Sequence, residues 1–136
     1  MFTQAPQDTE FSEAWIDGDE TARWRSASGH GPGVGAKASG SSFLEVDPGC
    51  RLPRHTDSAE ETIVVLSGSG TVTVGGESAD VAGGGIALVP EGVAHEVEST
   101  GEETLRFLAL YASADVTTTY EEPVQPSGER ERDPVG

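Results

Sequence analysis

A chain of 136 residues has room for one domain and no second one. It carries 24 acidic against 8 basic side chains, a formal charge of −16, and so lacks the basic stripe that nucleic acid or an acidic membrane surface requires. No run is apolar and long enough to cross a bilayer, and the start Met1-Phe2-Thr3-Gln4-Ala5-Pro6 has no basic-then-apolar leader pattern, so a cytoplasmic protein is expected.

In chain order, residues 1–20 are polar with scattered Phe2, Phe11 and Trp15, and read as an extended arm that can pair with a sheet edge. Thr21–Ser28 follows as a short strand with Trp24 inward, and Gly29–Gly40 is a glycine-rich loop, expected to be mobile. From Ser41 the chain changes to short strands divided by turns. Ser42–Val46, Glu61–Leu66, Thr71–Val74, Glu77–Val81, Ile86–Val89, His95–Ser99 and Thr104–Tyr111 are the predicted strands, with Gly75-Gly76 as a tight hairpin turn. Ile86–Val89 reads as buried. Strands of this length and spacing indicate an all-β sandwich or barrel. The division is residues 1–41 as arm, first strands and loop, 42–112 as barrel core, and 113–136 as a C-terminal extension. The charged, Pro-containing stretch Glu121–Gly136 is expected to be partly disordered or draped.

Four side chains carry the chemistry. His55 and Asp57 are two residues apart, Glu61 follows four residues later, and His95 returns after the turn Pro90-Glu91-Gly92. Residues two apart in extended chain share a face, so these groups can converge as a mixed imidazole and carboxylate site for a divalent metal. Parity supports the direction of two of them. Glu61 shares its strand face with Ile63 and Val65, and a carboxylate on an apolar inward face costs several kcal/mol or so unless a cation compensates it. His95 shares a face with Val97, while Glu96 and Glu98 take the other. Glu60 is the competing carboxylate, and Arg51, Arg54 and Arg106 are competing partners for Glu61; parity favours Glu61 as the ligand.

These same positions resemble the cupin family. Its first motif, G-x5-H-x-H-x3,4-E-x6-G, is met by Gly49, His55, Glu61 and Gly68, with Asp57 in place of the second His. Its second, G-x5-P-x-G-x2-H-x3-N, is met by Gly84, Pro90, Gly92 and His95, with Ser99 in place of Asn. The resemblance covers roughly residues 42–112 and implies a double-stranded β-helix, or jelly-roll, cupin barrel. It also implies a divalent ion (Fe, Mn, Ni or Zn) on His55, Asp57, Glu61 and His95.

Asp57 leaves two arrangements open. If it binds, two carboxylates neutralise the ion; if it does not, His55, Glu61 and His95 form a 2-His-1-carboxylate set with open positions. A degenerate, metal-free site is the third outcome. The fold hosts many chemistries, and the expectation is a small-molecule enzyme of dioxygenase, isomerase or decarboxylase type, against a non-catalytic binding or structural barrel. Its partner would be a small organic molecule in a pocket shaped by Ile63, Val65, Leu88 and Val97. Outward Val64 and Leu66 suggest a homodimer. His30 reads as a loop residue, Cys50 as a small apolar filler, and Trp24 and Phe43 as core. Tyr111 and Tyr120 are either packing or phenols facing the cavity.

Overall fold

The structure is a computed structural model describing residues 1–136, and its strands form two six-stranded antiparallel sheets. The strands are β1 (Ser12–Ile16), β2 (Asp19–Ser28), β3 (Gly40–Val46), β4 (Arg51–Asp57), β5 (Glu61–Ser67), β6 (Ser69–Val74), β7 (Glu77–Ala82), β8 (Ile86–Val89), β9 (His95–Ser99), β10 (Leu105–Tyr111), β11 (Thr118–Val124) and β12 (Glu129–Arg132). Two single 3-10 turns, Pro6–Asp8 and Pro32–Val34, are the only helical segments. One sheet runs β1-β2-β3-β10-β5-β8 and the other β12-β11-β4-β9-β6-β7. This is the jelly-roll architecture expected of alternating short strands.

Alternation sorts the strands into an inner and an outer face. On β5, Glu61, Ile63 and Val65 are buried, and on β9 His95, Val97 and Ser99 are buried. With Val46, Leu105, Phe107, Ala109, Leu52 and Val72 they fill the space between the sheets. Phe107 alone buries enough apolar surface to be worth roughly 2–3 kcal/mol against exposure.

Four expectations change. Residues 51–57, where no strand is evident by alternation, form β4. Its register shifts between Leu52 and His55, a bulge at Pro53-Arg54 that lets Leu52 and His55 both face inward although they are three apart. Pro53 has no N–H to give to a ladder, so it belongs at such an irregularity. β8 is not a buried strand: Ile86 is 69% and Leu88 59% exposed, because β8 is an edge strand whose outer face nothing covers. Phe43 is half-buried on the outer face of β3 rather than in the core.

The fourth change concerns the two segments expected to be loose. The charged tail contributes β11 and β12, and its Val135 is buried. The glycines of the 29–40 loop make room for it. A Cβ on Gly31 would stand 2.2 Å from the Val135 carbonyl oxygen, and one on Gly40 would stand 2.7 Å from Val135 Cγ1. These glycines permit close approach of the loop to the tail. The arm pairs β1 with β2 and bridges Trp15 to Gln125, so arm and tail meet.

Candidate metal centre

The second sheet delivers three of the four candidate ligands in adjacent rows. β4 pairs with β9 so that His55 stands opposite His95, and with β11 so that Asp57 stands opposite Thr118 and His55 opposite Tyr120. The fourth, Glu61, comes from β5 in the facing sheet. The turn before β9 is tied to the end of β4 by the Gly92 N–H, which donates to the Asp57 carbonyl at 2.9 Å.

All four side chains meet. Their ligand atoms lie within 4.8 Å of one another, and each residue is at most 4% exposed. His95 Nε2 is 3.1 Å from Glu61 Oε1 and 3.2 Å from Asp57 Oδ2, and His55 Nε2 is 3.8 Å from Asp57 Oδ2. The competing readings of Glu61 fail on geometry. Glu60 is exposed, while Arg51 pairs with Asp19 and Glu96, Arg54 with Glu121, and Arg106 with Glu45.

Both imidazoles are oriented by backbone carbonyls. His55 Nδ1 lies 2.7 Å from the Pro53 carbonyl and His95 Nδ1 2.9 Å from that of Val93. A carbonyl only accepts, so each Nδ1 carries the donating proton and each Nε2 is turned to the cluster. That is the arrangement by which an outer partner selects the ligating nitrogen of a histidine.

The four groups set one another's protonation. Burial, then the neighbouring His95, lowers the His55 pKa to about 4, so His55 is neutral. Burial also opposes charge on His95, but Asp57 and Glu61 outweigh it and raise its pKa to about 10. Glu61 is pushed up by burial and by the Asp57 charge, against the pull of His95. Asp57 is drawn below the usual carboxylate range: burial opposes this, but His95, His55 and Thr118 outweigh it. Without a metal, a protonated His95 therefore lies between two carboxylates. Asp57 Oδ2 is buried and makes no hydrogen bond, its one close polar contact being the His95 ion pair at 3.2 Å, a contact that a metal cation would replace. Two neutral imidazole nitrogens and two carboxylates at this separation fit a divalent ion of the Mn, Fe, Ni or Zn kind.

Above the cluster lies a cavity of about 230 Å³ whose walls include Trp24, Leu44, Leu52, Tyr111 and Tyr120, with His55 and Glu61 at its floor. Tyr120 packs its ring 4.9 Å from that of His55 and stacks on Trp24 at 5.3 Å. Burial raises the pKa of both Tyr111 and Tyr120, so they are phenol donors and not phenolates. The expected wall residues Ile63, Val65 and Val97 are packed in the core instead, and Leu88 points out. His30 is remote from the cluster, held by the hydroxyls of Ser41 and Ser39, and half-buried Cys50 packs against the core. Sequence reasoning missed Thr118, whose Oγ1 donates to Asp57 Oδ1 at 2.6 Å, and Arg132 at the cavity mouth. Both lie on tail strands that composition disguises.

Comparison with known proteins agrees with this fold. Residues 42–111 match the model of the family described as Cupin domain. An uncharacterized protein of Streptomyces coelicolor is 34% identical over 67 residues, which span 49% of this chain and 63% of that relative. Among solved structures, the polyketide cyclase RemF of Streptomyces resistomycificus is similar with a TM-score of 0.64 and 23% identity, over 82% of this chain and 78% of the other. Oxalate decarboxylase of Lactobacillus farciminis, in a formate complex, gives a TM-score of 0.66 at 18% identity, over 79% of this chain and 32% of that one. The Bacillus subtilis oxalate decarboxylase, described with Mn(II) centres, gives 0.58 at 23% identity, over 74% and 28%. At these identities the structural likenesses establish the fold alone. The family match spans about half of the chain and contains all four residues of the cluster, so this protein belongs to the cupin domain family.

Proposed function

We propose that this protein is a metal-dependent enzyme acting on a small organic molecule held in its barrel, with His55, Asp57, Glu61 and His95 as the ligands. The observation that carries the reading is the convergence of four buried ligand atoms within 4.8 Å of one another, with both histidine Nε2 atoms turned to the cluster. A divalent ion bound there supplies Lewis-acid or redox chemistry to an oxygen-bearing substrate. We favour Mn(II), which suits two carboxylates and two imidazoles and is the ion of the Bacillus subtilis oxalate decarboxylase.

The rest is done by the chain's own groups. Trp24, Leu44 and Leu52 exclude water, while the phenols of Tyr111 and Tyr120 stay protonated and can donate to a developing negative charge. The similarity to a polyketide cyclase and to oxalate decarboxylases supports a small organic substrate, transformed by oxygenation, isomerisation or decarboxylation. The test is mass-spectrometric profiling of a metabolite extract incubated with Mn(II)-loaded protein. Compounds consumed by the wild type and spared by His95→Ala support the reading; an extract unchanged by either contradicts it in favour of a non-catalytic binder.

We also propose a homodimer through the outer face of the first sheet. Across that face Phe43, Leu108, Val64 and Ile86 fall in one register row, and Leu110, Thr62 and Leu88 in the next. Such a contiguous apolar surface on an edge-terminated sheet is a pairing surface. Light scattering should give twice the monomer mass for the wild type and one monomer mass for Ile86→Glu; a monomeric wild type contradicts the proposal.

A further inference from the structure

Of the seven arginines, six are engaged. Arg25, Arg51, Arg54 and Arg106 have carboxylates within 4.0 Å, Arg23 lies over the Trp15 ring, and Arg130 donates to the Tyr120 carbonyl. Arg132 has neither an ion pair nor a hydrogen bond, in a chain with 24 acidic residues. It is half-buried and lines the mouth of the cavity.

Its position follows from register. Thr118 on β11 stands opposite Asp57 on one side and opposite Arg132 on the other, so Asp57, Thr118 and Arg132 form one row on one face of the sheet. Two strand spacings, roughly 10 Å, separate the Asp57 and Arg132 backbones. The two acids that share the mouth do not neutralise Arg132. Asp133 Oδ1 accepts the Val135 N–H at 3.0 Å, and Glu10 is exposed at the rim without an ion pair.

We infer that the substrate is an organic anion. Arg132 holds its carboxylate at the mouth, and the remainder of the molecule lies between Trp24, Leu44 and Leu52 with its reacting end toward the four-residue cluster. A neutral substrate would gain less from an unpaired guanidinium than an anion does. An anion approaching a chain of charge −16 needs a local cation, and the planar fork of Arg matches a carboxylate bidentately. The assignment deepens the enzymatic reading above and rests on it for the identity of the reacting end, but the anion subsite stands on β12 alone.

The test is calorimetric titration of the full chain with benzoate and with benzamide, its neutral analogue, with and without Mn(II). Wild type is expected to bind benzoate at least tenfold more tightly than benzamide. Arg132→Gln should lose at least tenfold in benzoate affinity while keeping its benzamide affinity and its Mn(II) stoichiometry, and Arg132→Lys should retain part of the benzoate affinity. Equal binding of benzoate by wild type and Arg132→Gln, or no preference of wild type for benzoate, overturns the inference. Protein that takes up no Mn(II) yet binds benzoate through Arg132 would defeat the metal reading and leave the anion subsite standing. Mn(II) uptake without Arg132-dependent benzoate binding would do the reverse.

Discussion

Thr118 Oγ1 donates a 2.6 Å hydrogen bond to Asp57 Oδ1, and that contact decides the direction of the one residue in the cluster that departs from the family motif. With Oδ1 engaged on the tail side, Oδ2 is turned to His95 at 3.2 Å and to His55 at 3.8 Å. Asp is shorter than the histidine it replaces, and Thr118 on β11 is the device that aims it. The candidate centre therefore depends on the tail strand as well as on the motif.

Thr118→Val removes the donor while keeping the shape of the side chain. Metal affinity is expected to fall about 10- to 100-fold, the range for loss of an orienting outer partner. Titration with Mn(II) followed by electron paramagnetic resonance of the free ion measures it. Unchanged affinity would mean that Asp57 is aimed by something else or takes no part.

A metal bound at the cluster would compete with protons. Without metal, His95 is held protonated by Asp57 and Glu61, with its pKa raised to about 10, and burial raises Glu61. Both groups bind protons in the folded, metal-free state at pH values where their unfolded counterparts have lost them. They therefore stabilise the metal-free fold at low pH, and that contribution fades as pH rises through their folded values. A cation must expel these protons, so its affinity runs the other way. The rise in Tm on adding Mn(II) should be larger at pH 8 than at pH 6. Titration in buffers of different ionisation enthalpy should show net proton release, and proton uptake would contradict the account.

Gly31→Ala tests the close approach that holds the tail. The new Cβ would stand 2.2 Å from the Val135 carbonyl oxygen, backbone that has to move. The variant should be destabilised by about 1–3 kcal/mol, as for other overpacked sites. Hydrogen exchange should quicken at residues 129–135 while the amides of β5 and β10 keep their protection. Uniform loss of protection would show that the tail and barrel open as one unit.

The sequence made the barrel and most of the candidate site legible because alternation survives where one face of a strand is buried. His95 and Val97 face in while Glu96 and Glu98 do not, and Glu61 is separated from Glu60 by the same parity. Alternation fails at three places for physical reasons. The bulge at Pro53-Arg54 breaks the period of β4, which hides the strand bearing His55 and Asp57. β12 is the sheet edge and β11 lies next to it, and their charged residues Glu121, Glu129 and Glu131 face solvent and mimic a loose tail. Ile86 and Leu88 are apolar yet exposed, so their hydrophobicity misreports burial on β8. Thr118 and Arg132 were unreadable because only sheet register places them in the row of Asp57.

The central claim is that His55, Asp57, Glu61 and His95 hold one divalent ion. Elemental analysis by mass spectrometry of untagged protein, purified without chelator and reloaded with Mn(II) after stripping, tests it directly. The account predicts close to one equivalent per chain for the wild type and a small fraction of that for folded His95→Ala. A wild type that retains no metal, or a His95→Ala variant that retains a full equivalent, would contradict it.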